Sequence, residues 1–392
     1  MSTSPPGSGN EQAEAYAPPQ GSPERFTIVG RFVGGARPWT TPDGAHLRAA
    51  YVAPGFIDVQ VNGGFGHEVG ADQEALRALA ARLPSTGVTA FLPTLVSRPE
   101  SDYAARFAAV DAEMRAEARG ERRGSARILG VHLEGPLLAP ERAGAHDVAA
   151  IEAATVDMIL RLADPARIRV VTLAPERAGA PALIAALRAR GVTVSLGHTD
   201  ATFEELELGV EAGATLATHV WNAMAPLHHR APGAAGAVLA DDRVIAMAIA
   251  DGVHLHPAAF RIAARAKGPG RLALVTDAIA GAGLGPGEST LAGRRIALDA
   301  TSARLSDGTL AGSILTMDQA VRNAMRWGGL TLDDAVRAAS ATPGAALADR
   351  LGSTVAAPDD VVLLDEDLTV RATFVRGELA YVKDGDVDAL RR

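Results

Sequence analysis

The stretch VVTLAPERAGAPALIAALRARGVTVSL, residues 170–196, contains a strand, a helix and a second strand, and this order decides the fold class. Residues 170–173 and 193–196 are short apolar runs. Residues 181–190 have the apolar periodicity of a helix, and Gly191 supplies its stop signal. Strands that alternate with helices run parallel in one sheet. The stretch therefore predicts a strand-helix-strand unit of an α/β protein.

The same alternation extends through the middle of the chain. Helical patterns separate most of the apolar runs, for example at Leu76, Leu79 and Leu83, which recur at helical spacing. The eight apolar runs are residues 56–61, 89–94, 128–133, 170–173, 193–196, 216–220, 245–249 and 272–275. Eight such units predict a closed (β/α)₈ TIM-type barrel. A doubly wound open sheet is the alternative, although no GxGxxG motif follows the first strand.

Both ends of the chain are rich in β-forming residues. Residues 25–30 form one such run, and Asp and Gly turns separate three more, at residues 361–364, 369–375 and 379–382. We expect the two ends to pair into a small β-sandwich domain, with residues 23–53 and 355–392 in that domain and 54–354 in the barrel. Residues 1–22 are rich in Ser, Pro and Gly and predict a disordered tail.

Composition excludes several classes of function. The 392 residues include 38 basic and 46 acidic ones, a net charge of −8, so a general nucleic-acid binder is not expected. Cysteine is absent, which excludes disulfides, thiolate nucleophiles and Cys-ligated zinc. The first twenty residues contain no Lys or Arg, and no long apolar run occurs. We therefore expect no secretory signal, no membrane segment and a cytoplasmic location.

Polar side chains follow nearly every predicted strand, which is where the active sites of such barrels lie. Glu134 follows the third strand, His198 the fifth and His219 the sixth. One carboxylate and two imidazoles suit Zn²⁺ or a similar divalent ion and leave a position open for water. The alternative is three unrelated polar residues, each satisfied by hydrogen bonds. His132 and Glu176, also at strand ends, are interpreted as structural.

Three further features near the strand ends carry possible chemistry. Asp277 ends the eighth strand and could be a general base beside a metal-activated water, or could cap the segment that follows. The dense basic cluster His228-His229-Arg230 could be an anion site, since an Arg fork binds phosphate, or a solvated loop. His146 follows a loop of small residues, and taken alone it indicates a structural role.

Several motifs resemble the amidohydrolase superfamily, and within it the N-acetylglucosamine-6-phosphate deacetylase family. Any one motif alone is weak, but together and in this order they are specific. They are PGFIDVQVNGG (54–64), GVHLEGP (130–136), VTLAPE (171–176), LGHTDA (196–201), THVWNAM (218–224), IADGVH (249–254), LVTDA (274–278) and LAGSILTM (310–317).

The resemblance implies roles for the strand-end residues. Glu134, His198 and His219 would hold one divalent metal ion per subunit, Zn²⁺ in the first place, with Fe²⁺, Co²⁺ or Mn²⁺ as alternatives. Asp277 would be the catalytic acid and base, and His146 would lie near the acetyl carbonyl.

Two departures from the wider superfamily bear on the metal count. Many members carry His-x-His on the first strand and bind a second ion, whereas this chain has Gln60 and Asn62. Amides are poor ligands beside imidazoles, so these two residues are at most the remnant of a second-metal site. The two lysines, Lys267 and Lys383, do not lie where a carboxylated bridging lysine would be needed.

The resemblance also implies a substrate, a small phosphorylated sugar whose acetamido group is hydrolysed in amino-sugar catabolism or cell-wall recycling. The implied substrate-binding residues are Ala145, Asn222, Ala223, Arg230, His254, Leu310, Ala311 and Gly312. At Ala145 the family leads us to expect a threonine. The family is typically dimeric, so we expect a homodimer in which Arg230 serves its own or the neighbouring site. Alternatives are an N-acetylgalactosamine-6-phosphate deacetylase, a dihydroorotase-like amidohydrolase and a non-catalytic barrel.

Overall fold

Every one of the eight predicted apolar runs overlaps a strand, and the eight strands form one parallel sheet. The computed structural model describes residues 26–36, 45–351, 355 and 357–383, so the predicted tail lies outside the described residues. The barrel strands are Phe56–Val61, Val88–Val96, Val131–Glu134, Ile168–Leu173, Thr193–Leu196, Leu216–Ala217, Ile245–Ala248 and Leu272–Leu274, and a short strand, Arg127–Ile128, pairs beside the second. The barrel prediction is confirmed.

Backbone hydrogen bonds just beyond the named strands join the eighth strand to the first. The Asp277 N–H donates to the Gln60 carbonyl at 2.9 Å, and the Asn62 N–H donates to the Ala278 carbonyl at 2.8 Å. These bonds close the barrel and bring residues 60–62 beside Asp277, although more than 200 positions separate them in the chain.

A buried carboxylate strengthens this seam. Asp58 accepts hydrogen bonds from the backbone N–H groups of Gln60 and Thr276 and from the Thr276 hydroxyl. Burial raises the pKa of Asp58 to about 7, and the donated hydrogen bonds oppose that rise. Asp58 thereby fixes the backbone at Thr276, the residue directly before Asp277.

Helices follow most of the strands and pack one apolar face inward. Helix Ala180–Ala189 buries Leu183, Ile184 and Leu187 and ends close to the predicted position. The α-helices are Gln73–Arg82, Tyr103–Ala118, Val148–Ala153, Val156–Leu162, Ala180–Ala189, Phe203–Glu211, Gly233–Ala240, Pro257–Lys267, Met317–Asn323, Leu332–Ala339 and Ala341–Leu351; a π-helix spans Ala324–Gly328, and 3₁₀ turns span Leu83–Thr86, Glu100–Asp102 and Pro140–Arg142. None of the described helices is long and apolar enough to cross a bilayer.

The two chain ends pair in one mixed sheet of five strands, as the sequence predicts. In spatial order the strands are Phe26–Phe32, Ala45–Pro54, Val361–Leu364, Val370–Val375 and Glu378–Val382; the first pair is parallel and the others are antiparallel. Leu47, Val361 and Phe374 belong to a separate core cluster, whereas Val362 and Val370 join the barrel core. The sheet therefore packs against the barrel. The exact division at residues 53 and 355 remains a proposal.

A buried ion pair links this sheet to the barrel. Arg127, beside the second barrel strand, donates to Asp360, which precedes the strand Val361–Leu364. Their side chains are 4% and 3% exposed. Asp360 also accepts the backbone N–H of Arg376 at 2.8 Å. A charge so deeply buried is tolerated only while its partners remain.

Asp360→Ala should therefore lower the free energy of unfolding by about 3–5 kcal/mol, because it leaves the Arg127 guanidinium buried without its counter-charge. Urea denaturation followed by circular dichroism measures the loss. Glu288→Ala is the matched control, since it breaks the Glu288–Arg295 pair, whose side chains are 71% and 83% exposed. Equal, small effects of the two substitutions would show that the buried pair does not hold the sheet to the barrel.

A three-stranded antiparallel sheet follows the eighth barrel strand and was not predicted. Its strands are Gly287–Leu291, Arg294–Leu298 and Ala303–Arg304. Ala292 and Gly293 form the first turn with φ of 54° and 80°, the left-handed conformation that two-residue hairpin loops require. Its inner residues form a small core of their own with Ile279, and Leu291 reaches the barrel mouth.

Candidate metal-dependent active site

Three barrel strands bring Glu134, His198 and His219 together at one end of the barrel. Glu134 is the last residue of its strand, and each histidine lies two residues beyond its own. The two imidazole Nε2 atoms are 3.1 Å apart and lie 3.4 and 3.2 Å from Oε1 of Glu134. These three form the only His, Asp and Glu group within metal-binding distance in the described part of the chain.

The donor set fits a divalent metal ion. Nδ1 of His198 lies 2.7 Å from the Arg142 carbonyl, which can only accept, so Nδ1 carries the proton and the Nε2 lone pair points toward Glu134 and His219. A hydrogen bond of this kind on the outer nitrogen is typical of metal-binding histidines. Two imidazole nitrogens and a carboxylate oxygen suit Zn²⁺ and related ions.

The backbone at this site is strained. His198, His219 and Asp277 have φ of 49°, 29° and 50°, in the left-handed region that residues with a Cβ rarely adopt. Such conformations cost about 1–3 kcal/mol each and persist where the surrounding structure imposes them. The surrounding structure therefore holds these three residues in conformations that they would not adopt freely.

Asp277 lies buried beside this group, and Asn62 holds it. The Asn62 Nδ2 donates to Oδ1 of Asp277 at 2.7 Å. Burial first, and then the negative charge of Glu134, raise the pKa of Asp277 to about 7. A carboxylate with a pKa in this range can both accept and return a proton near neutral pH.

Gln60 makes a corresponding hydrogen bond to the other carboxylate. Its Nε2 donates to Oε1 of Glu134 at 3.0 Å. The side-chain carbonyl oxygens of Gln60 and Asn62 are buried and receive no hydrogen bond from the described residues. In this structure the two amides therefore act as hydrogen-bond donors to the carboxylates, where two-metal relatives are expected to carry imidazole ligands.

His146 stands at the edge of the metal-binding group. Its Nε2 lies 3.8 Å from Oε2 of Glu134, and its ring centroid lies 4.4 Å from that of His198. Burial first, and the neighbouring His198 next, lower the pKa of His146 to about 3. The ring is therefore neutral near pH 7, when it can donate one hydrogen bond and accept one.

A cavity of about 350 Å³ opens above these residues, within the usual range for small-molecule sites. Ala311 does not line it, since its side chain packs in the small core beneath the three-stranded sheet. Leu291 and Thr309 line it and were not predicted. The cavity is lined by Asn62, Glu134, His146, His198, His219 and Asp277 and, among the predicted substrate-binding residues, by Ala145, Asn222, Ala223, His254, Leu310 and Gly312.

Asp251 orients His254 in the cavity wall. One oxygen of Asp251 accepts the backbone N–H groups of Val253 and His254 at 2.8 Å each, and the other lies 2.6 Å from Nδ1 of His254. Burial opposes protonation of His254, but the Asp251 hydrogen bond and charge outweigh it and raise its pKa. Asp251 thus holds the proton on Nδ1 and favours the protonated ring, in which Nε2 also carries a proton.

Arg230 lies outside the cavity of its own chain. It is exposed on a turn, and its guanidinium contacts His229 at 2.9 Å. Positive charge inside the mouth comes instead from Arg142, which lines the cavity and pairs with Asp200. Sequence reasoning missed Arg142 because it lies in a 3₁₀ turn eight residues beyond a strand end, where no periodic signal marks it.

Two other strand-end residues do not join the site. His132 is fully buried, with its ring nitrogens 2.9 Å from the Val59 carbonyl and 2.7 Å from the Thr172 hydroxyl. Glu176 accepts hydrogen bonds from the Thr199 hydroxyl and the Asp200 N–H and so holds the loop that carries His198. Both have the structural role that the sequence suggested.

A parallel barrel with Glu, His and His at its strand ends and an Asp beside them defines a class of metal-dependent hydrolases. The family model described as "Amidohydrolase family" matches residues 51–380. The chain therefore belongs to the amidohydrolase family.

Within this family, the chain is similar to deacetylases of amino-sugar phosphates. The chain is 41% identical over 348 residues to the N-acetylglucosamine-6-phosphate deacetylase of Bos taurus, covering 84% of this chain and 83% of that protein. It is 37% identical to the N-acetylgalactosamine-6-phosphate deacetylase of Escherichia coli O157:H7, covering 85% and 88%. A solved variant of the Mycobacterium smegmatis N-acetyl-D-glucosamine-6-phosphate deacetylase, in complex with N-acetyl-D-glucosamine-6-phosphate, matches with 34% identity and a TM-score of 0.82, covering 91% of this chain and all of that chain.

Proposed function

We propose that this protein hydrolyses the acetamido group of N-acetyl-D-glucosamine 6-phosphate to acetate and D-glucosamine 6-phosphate. The observation that carries the proposal is the meeting of Glu134, His198, His219 and Asp277 in one cavity, in a chain 41% identical to a deacetylase of this substrate. A metal ligand set with an adjacent proton acceptor is the machinery that amide hydrolysis needs.

Glu134, His198 and His219 would hold one divalent ion, and we propose Zn²⁺ because this ligand set leaves an open coordination position. When bound, such an ion supplies a Lewis acid that polarises a carbonyl and makes water easier to deprotonate. Asp277 accepts the proton of the attacking water through Oδ2, because Asn62 holds Oδ1. Asp277 then returns the proton to the departing amine nitrogen.

His146 donates a hydrogen bond to the acetyl oxygen. Its Nε2 lies on the side of Glu134, where the carbonyl would be held, and its neutral ring has one proton to offer. A fixed donor aimed at an oxygen that gains negative charge favours the tetrahedral intermediate over the substrate.

We place the 6-phosphate beside His254 in the cavity wall. His254, held by Asp251, supplies a donor with positive character. Because Arg230 is exposed and lies outside its own cavity, we propose that Arg230 of the partner subunit completes the phosphate site in a homodimer. Its planar guanidinium can bind two phosphate oxygens at once. As the sequence predicts, we place this homodimer in the cytoplasm.

Arg230→Ala should lower kcat/KM selectively for the phosphorylated substrate. The expected loss in kcat/KM for N-acetylglucosamine 6-phosphate is about 1.5–3 kcal/mol, the range for a hydrogen bond to a charged group. Arg230→Lys should restore kcat/KM only in part, because lysine lacks the planar guanidinium that makes paired hydrogen bonds. Unphosphorylated N-acetylglucosamine is the control substrate, and its kcat/KM should not change. If kcat/KM falls equally for both substrates, Arg230 is a structural residue.

Mixed dimers test whether Arg230 acts across the subunit interface. Chains carrying Arg230→Ala are co-expressed with differently tagged chains carrying Asp277→Asn, and dimers with both tags are purified. Each mixed dimer then has one site with an intact Asp277 and the intact Arg230 of the partner subunit, so activity should return. Mixed dimers as inactive as either parent would place Arg230 in its own subunit's site.

Product analysis tests the reaction itself. Purified protein loaded with Zn²⁺ is incubated with N-acetylglucosamine 6-phosphate, and acetate and primary amine are measured together. The proposal requires equal amounts of both products. N-acetylgalactosamine 6-phosphate is assayed in parallel because of the Escherichia coli relative, and a higher kcat/KM for it would transfer the assignment to that sugar. No acetate from either sugar would overturn the proposal.

A further inference from the structure

A serine outside the predicted site contacts His146 from behind. Ser97 follows the second barrel strand, Val88–Val96, and is 1% exposed. Its backbone nitrogen lies 3.2 Å and its hydroxyl oxygen 2.7 Å from Nδ1 of His146. The same hydroxyl lies 3.4 Å from the Glu134 carbonyl, a much longer contact. Two groups of one residue thus converge on one ring nitrogen.

The chemistry of these two groups fixes the ring proton. A backbone N–H can only donate, so Nδ1 of His146 must be an acceptor and carries no proton. The Ser97 hydroxyl is free to donate to the same nitrogen. The single proton of the neutral ring then lies on Nε2, the nitrogen that faces Glu134.

The local backbone leaves room for this contact. Gly135, directly after Glu134, has φ of +80°, and a Cβ there would overlap the Ser97 hydroxyl and the Leu138 side chain. Glycine at this position therefore permits Ser97 to sit beneath the imidazole. The tilted ring of His198 also packs against the His146 ring, at 4.4 Å between centroids.

We propose that Ser97 is a positioning residue that locks His146 in the Nε2–H tautomer and aims that proton at the substrate acetyl oxygen. The backbone N–H of residue 97 keeps Nδ1 an acceptor, and the Ser97 hydroxyl adds a second donor that strengthens this preference. Only the Nε2–H tautomer donates into the cavity. Ser97 does not line the cavity, and its shortest side-chain contact is with His146.

The tautomer can be measured without substrate. Protein labelled with ¹⁵N in the histidine rings is studied by long-range ¹H–¹⁵N correlation NMR, with and without Zn²⁺, and the His146 signals are identified by their absence in His146→Gln. We expect the proton on Nε2 and a hydrogen-bonded acceptor at Nδ1. In Ser97→Ala the Nδ1 resonance should move toward that of a nitrogen with a weaker hydrogen bond. A proton on Nδ1 in the unaltered protein would overturn the proposal.

The kinetic consequence rests on the proposed deacetylation, whereas the NMR result does not, so the two can fail separately. Ser97→Ala should lower kcat roughly 3- to 10-fold, the loss of one hydrogen bond, with KM little changed. In the His146→Gln background the same substitution should have no further effect. Ser340→Ala is the control, because Ser340 is as buried as Ser97 and also uses its hydroxyl in a hydrogen bond. Its hydroxyl donates to the Val336 carbonyl, four residues earlier in the chain. A loss of equal size with and without His146 would show that Ser97 is only structural.

Discussion

Asp277→Asn is expected to keep its metal ion and lose roughly 10²–10⁴-fold in kcat, the usual contribution of a general acid or base, with the upper end expected for a residue that serves as both. The substitution keeps size and shape, and the asparagine oxygen can still accept the Asn62 hydrogen bond. It removes the carboxylate that we propose takes the proton from water and returns it to the amine. Elemental analysis and steady-state acetate release, measured on the same preparation, check both statements.

The pH dependence adds a second readout for Asp277. The carboxyl must be ionised to accept a proton, and its pKa is raised to about 7 by burial and by Glu134. Activity therefore falls when the pH drops below the pKa of Asp277. Because a bound cation lowers that pKa, the fall in the metal-loaded protein lies below pH 7. Asp277→Asn should lack the acid limb. Asp242→Asn, which removes an exposed carboxylate elsewhere, should retain it. Near-normal kcat in Asp277→Asn with full metal content would show that another residue is the base.

His219→Ala is expected to lose the metal ion and, with it, all measurable deacetylation. Glu134 and His198 would remain, and two ligands hold an ion poorly against water. Substitution of a residue that only supports a ligand typically costs 10–100-fold in affinity, so removal of the ligand itself should cost more than about 100-fold. Metal content after dialysis and competition with a chelator measure the loss.

His256→Asn is the matched control for the loss of an imidazole. His256 caps the helix Pro257–Lys267 through Nδ1, and asparagine can also accept the Ala258 N–H. This variant should retain one ion per chain. A His219→Ala protein that still binds one ion tightly and releases acetate would contradict the ligand assignment.

The barrel was predictable because the strands are short and mainly apolar runs. Strands buried on both faces of a parallel sheet need such runs, and helices with one apolar face lie between them. The meeting of Glu134, His198 and His219 was predictable for the same reason, since the ends of parallel strands converge at one rim. Asp277 follows from the same rule at the eighth strand.

Residues on loops were predicted less well, because their positions depend on contacts that no local pattern records. Ser97 and Arg142 reach the site from loops, and neither carries a periodic signal. The three-stranded sheet was missed because its strands are short and mostly exposed, so the burial pattern of a strand is weak. Arg230 marks a different limit under the proposed dimer, since a single chain does not contain the groups that would complete a site across subunits.

The most direct test of the account is a metal titration of the site formed by Glu134, His198 and His219. Metal-free protein, prepared with a chelator, receives Zn²⁺ in increments, and acetate release from N-acetylglucosamine 6-phosphate is measured at each step. We expect no activity without metal, a linear rise and a plateau at one ion per chain. A plateau at two ions per chain, or full activity in the metal-free protein, would contradict this expectation.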